Sequence, residues 1–191
     1  MCSLKIYNNK LLSKSIINYS KILPIKNISL FKNELSIIID NKNLNFVILF
    51  FKLNVFSQYK VLSSITGVDF LFNKSRFEIN YDLLSIRFNN RLRIKVYTDE
   101  LESIQSCEGI HSSANWYECE IWDMFGIFFI NHSNLKRILT DYGFIGNPLR
   151  KDFPLSGFIE IRYSENKKKI LSEPIELAQE YRTFNYSNPW N

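Results

Sequence analysis

Between Arg76 and Arg87 the chain reads RFEINYDLLSIR, with Phe77, Ile79, Tyr81 and Leu83 alternating against Glu78, Asn80 and Asp82. A period of two sends alternate side chains to opposite faces of an extended backbone, so this stretch is predicted to be a half-buried strand. Asn89 and Asn90 tolerate positive φ and supply a turn. Leu92, Ile94, Val96 and Tyr97 then read as the return strand of a hairpin. Strands adjacent in sequence and flanked by helices indicate an α+β fold, a small mixed sheet with helices packed on it.

Other elements fit around that hairpin. Leu35 to Asp40, LSIIID, reads as a short strand, Leu44 to Asn54 as a buried helix, and Ser57 to Ile65 as a second helix ending at Gly67. A further helix is expected from Asn115, a candidate cap with Glu118 in capping-box spacing, through Trp116 to Met124. Gly126 is suited to its left-handed C-terminal turn. Near the N-terminus Leu12, Ile16, Tyr19 and Leu23 fall four, three and four residues apart, on one helical face, and Pro24 stops the helix.

Residues 1–33 contain Lys5, Lys10, Lys14, Lys21, Lys26 and Lys32 and no acid, so they account for the net charge of +5. The remainder is near neutral, without the basic stripe that a nucleic-acid binder gathers. An acid-free, Ser-containing start resembles a transit peptide in composition, but such peptides favour Arg, and none precedes Arg76. A solvated basic helix or arm is the reading adopted.

Beyond Thr140 the periodicity fades, and Pro148, Pro154, Pro174, Pro189, Gly143, Gly146 and Gly157 interrupt the chain. Yet Tyr142, Phe144, Phe153, Phe158, Tyr163, Tyr181, Phe184, Tyr186 and Trp190 fall in the same stretch. Rings that cannot build a local core need another surface, and interfaces are rich in Tyr, Trp, Phe and Arg. The expected organisation is a basic helix or arm over 1–33, an α+β domain over 34–139, and an extended, largely irregular C-terminal tail over 140–191 laid on partners.

Several chemistries are not supported. The longest apolar run, Phe46 to Phe51, is far shorter than the ~20 residues a membrane span needs. Gly143-Phe144-Ile145-Gly146 lacks the preceding strand and the spacing of a dinucleotide loop. An iron–sulfur cluster needs about four thiolates, against Cys2, Cys107 and Cys119 with no C-x-x-C pair. Cys107, His111, Cys119 and His132 match no zinc module, and read as loop histidines and small apolar fillers. Glu118, Glu120 and Asp123 form the densest carboxylate group, with Trp116, Glu120 and Asp123 on one helical face, but acids early in a helix also suit its dipole. Arg137, Asp141, Arg150, Lys151 and Asp152 read as ion-pairing residues, within the chain or across an interface.

At Glu118 to Ile127 the segment ECEIWDMFGI is similar to the signature of the respiratory complex I 30 kDa subunit family. ITGVDF (Ile65 to Phe70), RFEINYDLLSIRFNNRLRIKV (Arg76 to Val96), LKRILTDYGFIGNPLRKDFPLSGFIEIRY (Leu135 to Tyr163) and EPIELAQEYRTFNYSNPW (Glu173 to Trp190) resemble its mitochondrially encoded members, in order and spacing. The resemblance runs from Ile65 to the end, whereas the first sixty residues match poorly. Cys119, Asn147 and Ser133 depart from the arginine, histidine and proline usual there.

The resemblance implies a core peripheral-arm subunit of the proton-translocating NADH:ubiquinone oxidoreductase, on the matrix side of the mitochondrial inner membrane. The skew toward Asn, Ile, Lys, Phe and Tyr and the lack of a transit signal fit synthesis inside the organelle. Such a subunit is non-catalytic and binds no cofactor, while NADH, FMN, iron–sulfur clusters and ubiquinone belong to other subunits. It packs chiefly against the 49 kDa-type subunit and neighbouring iron–sulfur subunits. Glu118, Trp122, Asp123, Arg137, Asp141, Arg150 and Asp152 are the expected junction residues. The rival readings are the homologous subunit of a bacterial or plastid quinone reductase and, from another class, an organellar RNA-binding or ribosomal protein.

Overall fold

The computed structural model describes residues 22–31, 34–182 and 184. The chain forms two compact units that divide between Asp152 and Phe153. The first is built on a five-stranded mixed sheet in the order β1-β2-β5-β4-β3, from β1 (Ile25–Phe31), β2 (Glu34–Ile39), β3 (Val61–Asp69), β4 (Phe77–Ser85) and β5 (Asn90–Thr98). β2 pairs with β5 in parallel, and all its other neighbours are antiparallel. A minor parallel pair joins β6 (Ile104–Gln105) to β7 (Phe129–Ile130).

The alternation read in the sequence sorts the two faces of the sheet. Leu35, Ile37 and Ile39 of β2, Ile79, Tyr81 and Leu83 of β4, and Leu92, Ile94 and Val96 of β5 are buried on the core side. Helices α1 (Leu44–Leu53) and α2 (Ala114–Phe125) belong to the same first unit. α1 buries Leu44, Val47, Ile48 and Phe51, each contributing about 1.5–3 kcal/mol by leaving water. The opposite face is polar and carries ion pairs between strands. Lys95 Nζ donates to Glu78 Oε1 at 2.8 Å, and Arg93 grips Asp82 through two bonds of 2.7 and 3.1 Å.

The β4–β5 hairpin forms as expected, with Asn89 at a φ of +49° in its turn. The expected strand at Leu35 to Asp40 and the helix at Leu44 to Asn54 are likewise present. The helix expected from Ser57 to Ile65 is instead a turn followed by β3. A bulge between Leu62 and Ser64 breaks the register with β4 and turns Leu62 and Ile65, three apart, both inward. That spacing imitates a helix, and pairing with β4 overrides it.

Gly67 lies mid-strand where α2 comes close. A β-carbon there would stand 2.8 Å from the Phe125 ring, whose edge meets Phe77 at 6.3 Å between centroids.

The apolar stripe of Leu12, Ile16 and Tyr19 lies outside the described residues; its last member, Leu23, is buried in the core. Ile25–Phe31, read in the sequence as part of the basic arm, is the edge strand of the sheet.

The second unit is an antiparallel hairpin of β8 (Ile159–Ser164) and β9 (Lys169–Pro174) with flanking segments. Register pairs Tyr163 with Ile170, Ile161 with Ser172 and Ile159 with Pro174 on one face. Ile159, Ile161, Tyr163 and Ile170 are all exposed. Tyr186 and Trp190 lie outside the described residues.

Candidate subunit-docking site

α2 does not start as the capping-box spacing suggests. Its N-cap is Ser113, with no side-chain cap bond, and Asn115 donates to Glu108 Oε1 at 2.7 Å. Glu118 is wholly buried and faces the chain upstream: Oε2 accepts from the Ser106 hydroxyl at 2.5 Å and Oε1 from the Cys107 N–H at 2.7 Å. Burial pushes its carboxyl above the ordinary value, outweighing those two bonds. Glu108 does the converse at the surface. The Ser133 N–H, then the Ser133 hydroxyl and Asn115, hold its carboxyl down to about 2.

The C-terminal end of α2 is the better defined centre. Gly126 adopts a φ of +76° and returns its N–H to Trp122 O at 2.9 Å. A helix leaves its last four carbonyls without intrahelical donors. Here Asn147 Nδ2 reaches Asp123 O at 3.0 Å and Trp122 O at 3.5 Å. Leu149 N–H donates to Met124 O at 3.1 Å and Arg150 Nε to Phe125 O at 2.6 Å. With the Gly126 N–H on Trp122 O and the loop's donors on the other three, none of the four carbonyls is left without a donor. A β-carbon on Gly126 would stand 2.8 Å from both Arg150 Nη2 and Asn147 Oδ1, so the fit is close.

Asp123, on the same last turn and buried, binds the other end of that loop. Its Oδ2 accepts the N–H groups of Ile138 (3.2 Å), Leu139 (2.8 Å) and Thr140 (2.9 Å), and Oδ1 accepts the Thr140 hydroxyl (2.7 Å). Burial alone would raise its carboxyl, but the Thr140 hydroxyl and the three N–H groups prevail and hold it below the usual range. Arg137 lies 5.9 Å from the Trp122 ring centre and donates to Phe144 O. Asp141 accepts its neighbour Tyr142 N–H at 2.8 Å.

A second anchor lies where β3 ends. Arg76 grips Asp69 through two bonds of 2.8 and 2.9 Å, pairs with Glu100, and reaches Asp152 at 3.0 Å. Asp69 also accepts the Lys151 N–H at 2.9 Å, tying residue 151 to the sheet. The Arg76 hydrogen bond is the main cause holding the Asp69 carboxyl below its usual value. Arg150 lies over the Phe77 ring at 5.4 Å.

Residues 137–152 thus form a loop whose backbone is pinned at both ends. Its outer side carries Leu139, Tyr142, Ile145 and Leu149, all exposed, with Tyr142 fully so. Of the residues singled out in the sequence, Asp123, Arg137, Asp141, Arg150 and Asp152 meet in or beside this loop, and Trp122 supplies the ring under Arg137. Glu118 stands apart inside the chain, and Trp116 and Glu120 remain exposed. Thr140, Asn147, Asp69 and Arg76 were not singled out as site residues. Asp69 and Arg76 sit within or at the start of the recognised segments, but no spacing announces that they meet residue 151. Cys119 Sγ lies 3.9 Å from His132 Nε2, whereas Cys107 Sγ faces Asn45.

A chain of the membrane-bound sulfane sulfur reductase, an archaeal respiratory membrane complex, superposes with a TM-score of 0.64 over 89% of this chain and 99% of that one, at 22% identity. The chain belongs to the 30 Kd subunit family of the respiratory-chain NADH dehydrogenase, matching it over residues 37–159. The match begins well upstream of Ile65, where the resemblance in the sequence becomes evident. Among curated relatives, NADH dehydrogenase (ubiquinone) iron-sulfur protein 3 of Solanum tuberosum is 53% identical over 141 residues, 74% of each chain. The protein of the same name from Arabidopsis thaliana is 52% identical over 141 residues, again 74% of each.

Proposed function

We propose that this chain is a non-catalytic scaffold subunit of the respiratory NADH:ubiquinone oxidoreductase, and that the 137–152 loop and the β8–β9 hairpin are its docking elements. The observation that carries the reading is the loop itself. Buried and half-buried polar groups fix its backbone while four large apolar side chains point away from its own core. Preordered apolar groups bind without a large ordering cost, which is what a permanent subunit contact needs. The hairpin supports the same reading, because an isolated two-stranded sheet with an uncovered apolar face is marginal in water.

In this proposal the partner of the loop is the 49 kDa-type subunit, with neighbouring iron–sulfur subunits close by, and Trp122, Arg137, Asp141, Arg150 and Asp152 sit at or behind the junction. The chain carries no redox group of its own, consistent with only three cysteines and no C-x-x-C pair. Its task is to hold neighbours' centres at fixed separation, as part of the matrix-side peripheral arm at the mitochondrial inner membrane. Organelle encoding agrees with the codon-biased composition. Replacing Tyr142 and Ile145 together by Asp tests the reading. Both are exposed, so the chain should fold normally while the amount of assembled complex on native gels falls several-fold. Normal assembly with failed electron transfer would refute a scaffold role.

A further inference from the structure

The β8–β9 hairpin has two edges, and they are not equivalent. Among the described residues no third strand lies beside either one. In an antiparallel pair, facing residues alternate between those that bond to each other and those that turn N–H and C=O outward. Two observations fix that alternation here. Pro174 has no N–H to give the strand opposite, and next to it the Ile175 N–H donates to Phe158 O at 3.1 Å. In the register of the hairpin, Glu160, Arg162 and Ser164 therefore bond across to Glu173, Leu171 and Lys169. Ile159, Ile161 and Tyr163 of β8, like Ile170, Ser172 and Pro174 of β9, turn their backbone groups outward.

The β9 edge is blunted, because Pro174 withholds an outward donor, and sheets place proline on edges that stay unpaired. The β8 edge has no such guard. It carries neither proline nor bulge, and its register runs unbroken from Ile159 to Ser164. Its arginine is already engaged, since Arg162 is forked onto Glu173 through bonds of 2.6 and 2.9 Å. Glu160 faces Glu173 in register and, among the described residues, forms no ion pair of its own. Like charges directly opposed weaken a pair of strands. We propose that an extended segment of another subunit adds to β8 as a third strand, through backbone hydrogen bonds to Ile159, Ile161 and Tyr163. The segment is apolar at alternate positions, continuing the exposed face of Ile161, Tyr163 and Ile170, and carries a Lys or Arg beside Glu160. A third strand turns a hairpin that is marginal in water into a sheet, with backbone bonds holding the partner and the alternate side chains selecting it. This mode of contact rests on the hairpin being a docking element and specifies how it is held.

Hydrogen exchange at single-amide resolution on the assembled complex tests this. The outward amides of Ile161 and Tyr163 should exchange about a hundredfold more slowly than those of Ile170 and Ser172 on the other edge. Proline substitutions give a second reading. Ile161→Pro removes an outward donor of β8, and Ser172→Pro, at its register partner, removes one of β9. The first should lower incorporation into the complex roughly tenfold and the second should leave it near normal. Ile161→Val keeps the N–H and should be incorporated normally. Fast exchange at Ile161 and Tyr163 in the unaltered complex, or full incorporation of Ile161→Pro, overturns strand addition. If Ile161→Asp still lowers incorporation in that case, the hairpin docks by its apolar face alone. If Ile161→Asp is incorporated normally as well, the hairpin is not a docking element at all.

Discussion

Replacing Asp123 by Ala removes one carboxylate that receives three backbone N–H groups and a hydroxyl within 2.7–3.2 Å. Hydrogen bonds to a charged acceptor contribute about 1.5–3 kcal/mol each, so simple addition over four gives roughly 6–12 kcal/mol. Addition overstates the loss, because three donors share Oδ2 and the loop's outer side meets water, where freed N–H groups find new partners. About 4 kcal/mol is the reasoned figure, and at about 1.4 kcal/mol per tenfold it corresponds to roughly a thousandfold in the opening equilibrium. The loss should be local, since the sheet does not depend on Asp123. Native-state hydrogen exchange should therefore quicken by two to three orders of magnitude at Ile138, Leu139 and Thr140, with Ile79 and Ile94 nearly unchanged.

The native carboxyl supplies an internal check. Its folded value lies below the ordinary one, so its contribution is complete above about pH 4 and disappears as the pH falls through the folded value. Acidification should loosen Ile138, Leu139 and Thr140 in the native chain and leave those three amides indifferent in the Ala variant. Unchanged exchange at the three amides, or an equal loss at the sheet, would refute the view that this carboxylate is what holds the loop.

Other expectations follow from the same geometry. Gly126→Ala meets both an unfavourable positive φ and Arg150 and Asn147 at 2.8 Å, and should cost about 1–2 kcal/mol, read as a lower midpoint in urea. Arg76→Lys keeps the charge but loses the forked grip on Asp69 and cannot also reach Glu100 and Asp152; thermal melting should show a loss of about 1–2 kcal/mol despite the conserved charge. Ile161→Asp on the exposed hairpin face should leave the melting of the first unit unaltered while lowering incorporation into the complex, measured on native gels.

The parts of the fold that were legible are those set by local periodicity. Phe77 to Leu83 alternates cleanly because β4 pairs on both sides, and Gly126 ends its helix where a residue free to adopt positive φ stands. β3 looks helical in sequence because its bulge places Leu62 and Ile65 at helical spacing, and only the partner strand resolves the ambiguity. The cap at Asn115 failed for a related reason. Glu118 turns to Ser106 and Cys107, a choice fixed by burial that spacing does not encode. Within the docking site, the charged residues of the loop were visible as a cluster, but not their targets. Helix-end carbonyls have no side-chain signature, and Asp69 meets Lys151 across 82 residues of chain.

The parallel joint between β2 and β5 has a kinetic consequence. Each hairpin, β1–β2 and β4–β5, closes over a short stretch, whereas Leu35 must find Leu92. During synthesis the first hairpin is finished long before its neighbour has been made, and its inner edge stays unpaired in the interval. Closing the sheet is therefore the long-range event in this domain's folding, and the half that waits is the one most exposed to pairing with the wrong strand.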